Sequence, residues 1–144
     1  MDGLERLLAL EDIKLLRTKY CRFVDSRQFR RMAEIMTTDC VLDLREASGP
    51  LGIESQPIHG CTAIIAQLEA FSDVDRLLHI VTLPEIEFDG DEATGVWRQE
   101  TYVKNARPDL PGCGIAYATC HDRYRRTPDG WRISHVRVTL DMIM

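Results

Sequence analysis

Asp25 stands where the first long amphipathic segment runs out, and His79 lies alone among apolar neighbours in Leu77-Leu78-His79-Ile80-Val81. An aspartate that accepts the proton of one imidazole nitrogen leaves the other free to take a proton from substrate, the minimal equipment of a general base. Tyr20, on the same segment as Asp25, is suited to donate a hydrogen bond to a developing oxyanion or a departing hydroxide. Five residues on an ideal helix turn through about 140°, so only a broad concave partner receives both Tyr20 and Asp25. Each residue also has a plain structural role: His79 as a hydrogen-bonded core side chain, Asp25 as a helix cap, Tyr20 as a core aromatic with its hydroxyl at the surface. A cavity shared by Asp25 and His79 separates the two readings.

Other side chains suited to substrate contact lie on strand-like segments: Trp97, Arg98, Glu100, Tyr102, His121, Asp122, His135 and Arg137. Among these, Trp97, Tyr102 and Arg137 are the candidate substrate-binding residues. Alternation puts Arg98, Glu100 and Tyr102 on one face of their strand and leaves open which face lines a cavity. By the same rule His79 shares a face with Leu77, Val81 and Leu83, while Leu78, Ile80 and Thr82 point the other way. Both faces are apolar, which predicts a strand covered on both sides.

The elements that must position these residues follow from periodicity. Leu7, Leu8, Ile13, Leu16, Tyr20, Phe23 and Val24 recur near helical spacing from Leu4 to Arg27, with a break expected around Leu10-Glu11. A short helix is expected over Gln28 to Met36, a strand over Cys40 to Leu44, and then a loop containing Gly49, Pro50, Gly52 and Pro57. A third helix should begin after Gly60. Strands are expected over Leu77 to Phe88, Glu92 to Lys104, Ile115 to Arg126 and Trp131 to Leu140. Asp89-Gly90-Asp91 and Thr127-Pro128-Asp129-Gly130 are hairpin signals, and Asn105 to Gly114, with two prolines and two glycines, predicts a longer loop. Helices first and long antiparallel strands after them predict an α+β fold, a strongly curved mixed or antiparallel sheet closed into a cone by the N-terminal helices.

The chain of 144 residues fits one domain, 1–144, and at this size roughly 68–70% of the unfolded surface is removed from water. With 44% hydrophobic and 28% charged residues and no long apolar run, neither a membrane span nor a signal peptide is expected, which places the chain in the cytoplasm. A net charge of -5 argues against nucleic-acid binding. Five cysteines without a CxxC pair argue for free thiols in a reducing compartment. The histidines and cysteines have no zinc-like spacing, and neither a phosphate loop nor a Gly-x-Ser-x-Gly elbow occurs. No metal and no cofactor are expected.

The whole pattern resembles the SnoaL-like family of the nuclear-transport-factor-2-like fold, in the branch of scytalone dehydratase, the lindane dehydrochlorinase and the bile-acid 7α-dehydratase. The resemblance is carried by Ile13…Tyr20-Cys-Arg-Phe-Val-Asp25, by Met32-Ala-Glu-Ile-Met-Thr-Thr-Asp39, by His79, and by Asp122-Arg-Tyr124-Arg-Arg-Thr-Pro-Asp-Gly-Trp131-Arg-Ile133. It implies a cone-shaped α+β barrel, a catalytic Asp25–His79 dyad assisted by Tyr20, and no cofactor. Arg137 is nearest to the last-strand arginine of these lyases, one residue out of step after Trp131, a shift that turns a strand residue to the other face. The implied activity is that of a lyase or dehydratase on a small, largely apolar cyclic substrate. The alternatives are a cyclase or ketosteroid-isomerase-like enzyme using the same dyad, and a non-catalytic ligand-binding or oxygenase small-subunit role. Relatives assemble through the outer face of the sheet, so a homo-oligomer is implied, a trimer ahead of a dimer.

Overall fold

The computed structural model describes residues 1–71, 74–106 and 113–144, without the side chains of 74 and 75. Helix α1 (Gly3–Asp25) is opened by a capping box: Asp2 Oδ1 accepts from the Glu5 N–H at 2.8 Å, and the Glu5 carboxylate accepts from the Asp2 N–H at 3.0 Å. It runs without the expected break at Leu10-Glu11, because Ala9, Ile13, Leu16, Tyr20 and Val24 keep one face continuously buried. Arg27, at φ 57°, takes the left-handed conformation that stops the helix.

A 3-10 turn over Phe29–Glu34 replaces the expected α-helix, and strand β1 (Met36–Asp43) starts earlier than its sequence suggests. The cause is tertiary: Met36 pairs with Ile133, and the Ile133 N–H donates to the Ile35 carbonyl at 2.8 Å. The segment expected as loop holds the short helix α2 (Arg45–Ser48), a 3-10 turn over Gly49–Leu51 and strand β2 (Ile58–His59). Helix α3 (Cys61–Ala70) follows Gly60, whose φ of 96° only glycine adopts without strain.

The expected strand Leu77 to Phe88 is two strands, β3 (Val74–Val81) and β4 (Glu85–Asp89). Pro84 has no N–H to continue a ladder, so the chain leaves the sheet after Thr82 and re-enters at Glu85. Both strands lie antiparallel against β5 (Glu92–Asn105). Strands β6 (Cys113–Thr127) and β7 (Gly130–Ile143) complete the sheet. Both hairpins form as the sequence indicates, with Gly90-Asp91 and Pro128-Asp129 as the two-residue loops. The longer loop expected from Asn105 to Gly114, with Pro108, Pro111 and Gly112, falls largely outside the described residues.

The strand order is β2-β1-β7-β6-β5-β3, with β4 beside β5, and every pairing is antiparallel except β1 with β7. This is an α+β fold with a curved mixed sheet that does not close on itself. Trp97, Ala118, Cys120, Tyr124, Ile133 and Val136 bury one face in a core shared with Ile13, Leu16 and Tyr20 of α1 and Ile64 of α3. The other face is open within one chain. Leu78 is 54% and Ile80 49% exposed, so β3 is not covered on both sides as its composition suggested. Among the described residues no helix is long and apolar enough to cross a membrane.

Candidate active site

Helix α1 ends beside β3, and the two elements bring Asp25 to His79 across 54 positions of sequence. Asp25 holds the histidine at two points. Its Oδ2 accepts from the His79 backbone N–H at 2.9 Å, and its Oδ1 lies 2.5 Å from the ring Nδ1. The backbone contact fixes the carboxylate to the strand, so the ring contact fixes the rotation of the imidazole. A carboxylate facing Nδ1 selects the tautomer with its proton there and leaves a lone pair on Nε2. Nε2 has no hydrogen-bond partner among the described residues. The side chains are 10% and 16% exposed for His79 and Asp25, enough to be reached and too little for water to compete freely for the contact.

Two open grooves are lined by Asp25, and the smaller of them also by His79. One, of about 480 Å³, runs between α1 and β3 and is lined by Thr18, Cys21, Arg22, Asp25, Arg76, His79 and Val81, among others. A second, of about 730 Å³, lies at the end of the sheet where β3, β5 and β6 begin or finish. Asp25, Arg76, Leu77, Leu78, Tyr102, Val103, Ile115 and Met144 contribute to its wall. Both fall in the size range of small-molecule pockets. The larger one is mostly apolar.

Behind the dyad lies a buried polar network that the sequence reading did not pick out. Arg17 is 1% exposed and donates through Nη2 to Gln99 Oε1 at 2.8 Å and Cys120 Sγ at 2.6 Å. Its Nη1 stands in an ion pair 3.5 Å from Asp122 Oδ2, and that oxygen accepts a hydrogen bond from the Tyr124 hydroxyl at 2.8 Å. Trp97 Nε1 donates to that hydroxyl at 2.9 Å. Gly95 makes room for this crossing: a Cβ there would stand 3.0 Å from the Tyr124 ring. At the other end Gln99 donates to Thr101 Oγ1 at 3.1 Å, and Thr101 is the partner of His79 in the β3–β5 ladder. Burial pushes the Asp122 carboxyl up while Arg17 pulls it down; burial also opposes the Arg17 charge, yet Asp122 holds that pKa above its ordinary value. The signal was present in Arg17 itself, which falls four residues after Ile13 and three before Tyr20 on the buried stripe.

Tyr20 is buried on that stripe with the Arg17 guanidinium 4.5 Å above its ring, and it lines neither groove. Burial raises its pKa well above the usual value against the pull of Arg17, so its hydroxyl is a donor at neutral pH. Trp97 is packed in the core at 3% exposure, away from both grooves. Tyr102 sits on the opposite face of β5 from Thr101, donates to Glu100 at 2.8 Å and borders the larger groove. Arg137 is on the face opposite Val136 and Val138 and pairs with Glu46 at 3.0 Å, so it does not meet the dyad. The one-residue offset after Trp131 has the effect its register implied.

Among the described residues, no group of three His, Cys, Asp or Glu side chains is arranged to hold a metal ion. All five cysteines are free. Burial pushes Cys21 up to about 11 and Cys40 and Cys120 up to about 12, so these three are thiols at neutral pH.

Residues 5–137 match the model of the SnoaL-like domain. No curated protein matches the chain. Among solved structures, a hexachlorocyclohexane dehydrochlorinase of LinA type 3 from Novosphingobium barchaimii LL02 is similar at 18% identity, covering 99% of this chain and 93% of its own, with a TM-score of 0.85. The Kfla4162 protein from Kribbella flavida is similar at 20% identity, with 99% and 95% covered and a TM-score of 0.82. A scytalone-dehydratase-like protein from Novosphingobium aromaticivorans DSM 12444 is similar at 16% identity, with 96% and 88% covered and a TM-score of 0.81. At these identities the likeness is one of fold.

Proposed function

The chain belongs to the SnoaL-like domain family, and from that premise we propose that it is a cofactor-independent lyase that removes a small group from a largely apolar cyclic substrate. One observation carries the reading: the two-point grip of Asp25 on His79, which leaves Nε2 unengaged beside an open groove. In this reading Nε2 takes a proton from carbon next to a carbonyl. The C–H electron pair becomes the new C=C bond, and the group on the neighbouring carbon leaves with its own bonding pair. Asp25 stabilises the imidazolium while the proton is held. Tyr20, protonated but buried and lining neither groove, is left out of the step, which the dyad carries alone. The similarity in fold to a dehydrochlorinase supports elimination over other uses of a base.

The same proposal includes assembly with further copies of the chain through the outer face of the sheet. Leu78, Ile80 and Leu83, at 54%, 49% and 85% exposure, support it by leaving apolar surface in water on a single edge.

The test is a panel of hydroxylated cyclic ketones in deuterated water, read for α-carbon exchange and for the ultraviolet band of the conjugated product. Exchange with elimination, both abolished in His79→Ala while the far-ultraviolet spectrum is retained, is the expected result. Exchange without elimination would move the reading to an isomerase. Turnover that survives His79→Ala would remove the dyad from the chemistry.

A further inference from the structure

Helix α1 is apolar on two sides. Its buried stripe packs in the core, yet Leu4, Leu7, Leu8 and Leu15 stand 67%, 62%, 58% and 52% exposed. Leu4, Leu8 and Leu15 fall within about 40° of one another around the helix, on the side turned away from Ile13, Tyr20 and Val24. A surface helix ordinarily carries polar residues there, and contiguous exposed leucines mark a surface that something covers. The charges beside this seam are sorted by sign. Asp2, Glu5, Glu11 and Asp12 outnumber Arg6 in the first half, and the cations Lys14, Lys19 and Arg22 follow in the second. The side chains of Asp12, Lys19 and Arg22 hold no ion pair or hydrogen bond among the described residues.

We infer that the outer face of α1 docks on α1 of a second copy, the two helices lying antiparallel with Leu8 of each against Leu15 of the other. In that register Asp2 and Glu5 of one copy approach Lys19 and Arg22 of the other, once at each end of the contact. A parallel pair would set acid against acid and base against base. Glu11, near the centre, is already held by Lys14 of its own helix at 2.9 Å. An anionic lipid surface fits less well, because the leucine-rich half of the seam is the acidic half. The contact is separate from the sheet face at Leu78 and Ile80. A single helix pair is smaller than a standard interface, so pairing sets in at about 100 µM, above the micromolar range expected of the sheet-face assembly. It also reaches the candidate site: the first helical turn of the second copy lies along Thr18 and Arg22, at the rim of the groove that holds His79.

Sedimentation equilibrium of the whole chain from about 5 µM to about 1 mM reads the contact as a mass that climbs above its micromolar value. The wild type should show the climb. Leu8→Glu combined with Leu15→Glu should abolish it and leave the micromolar mass and the far-ultraviolet helix signal unchanged, since glutamate is a good helix former at exposed positions. Lys19→Glu, and separately a rise in salt from about 0.1 M to about 0.5 M, should each weaken the pairing by about threefold to tenfold. Leu78→Glu combined with Ile80→Glu should keep the climb, so the two contacts are read apart. A constant mass in the wild type, a climb that survives the double leucine variant, or one indifferent to both Lys19→Glu and salt would each overturn the inference. Binding to phosphatidylglycerol vesicles without self-association, lost in the double leucine variant, would give the seam to a lipid surface and overturn it likewise.

Discussion

The Asp25 carboxylate binds the main chain and the ring of the same residue, His79, at 2.9 and 2.5 Å. An amide in its place would keep one contact and spoil the other. In Asp25→Asn the carbonyl oxygen can still accept from the His79 N–H, but the NH2 group then faces Nδ1 and favours the tautomer with its proton on Nε2. The base is lost while the fold is kept. We expect the rate to fall by about two to four orders of magnitude with little change in ligand affinity. Steady-state kinetics beside calorimetric titration checks this, and an unchanged rate would end the orienting role of Asp25.

Arg17 and Asp122 are an ion pair with side chains 1% and 0% exposed. Removing one partner strands the other in the core. Arg17→Met should destabilise the fold by about 3–5 kcal/mol, measured by urea unfolding. Arg17→Met with Asp122→Leu should recover much of the loss, because no charge is then left buried. If the single variant is as stable as the parent, the pair is not closed to water.

Asp43 accepts from the Arg45 guanidinium at 2.7 Å and from the Arg45 N–H at 3.1 Å, and that bonding holds its pKa down at about 2. A depressed acid stabilises the fold fully above its ordinary value of 3.8, and the contribution disappears as pH falls through about 2. Asp43→Asn should therefore lower the Tm at neutral pH. The gap to the wild type should close through this acid window, and a gap independent of pH would exclude the ion pair as its origin.

The exposed Leu78 and Ile80 should be covered in solution by another copy of the chain. Sedimentation should show an assembly for the wild type and a monomer for Leu78→Glu combined with Ile80→Glu. A wild-type monomer at micromolar concentration would refute this part of the proposal.

Asp25 and His79 were legible in the sequence because each interrupts an apolar period, one at the end of a helical stripe and one inside a strand. The hairpins were legible because two-residue turns demand particular residues, and Gly90 and Gly130 do take positive φ. Long-range pairing was not. The early start of β1 depends on Ile133, nearly a hundred residues away, and local propensity carries no trace of it. The face of β5 that meets the interior is set by what packs on it, which sent Trp97 into the core and Tyr102 outward. The role of Arg17 could not be read from its own helix, because its partner Asp122 lies on a distant strand.

The last strand, β7, sits between β1 and β6 and is the partner of both. A ribosome that has released only the first hundred residues has therefore produced a β1 edge with no central neighbour, and helix α1 lacks half the floor it will lie on. Ordering of that first third must wait for the final hairpin, so non-local closure sets the pace of folding. A nonsense codon after Thr127 would leave two unsatisfied strand edges facing one another, a template for aggregation and for proteolytic clearance.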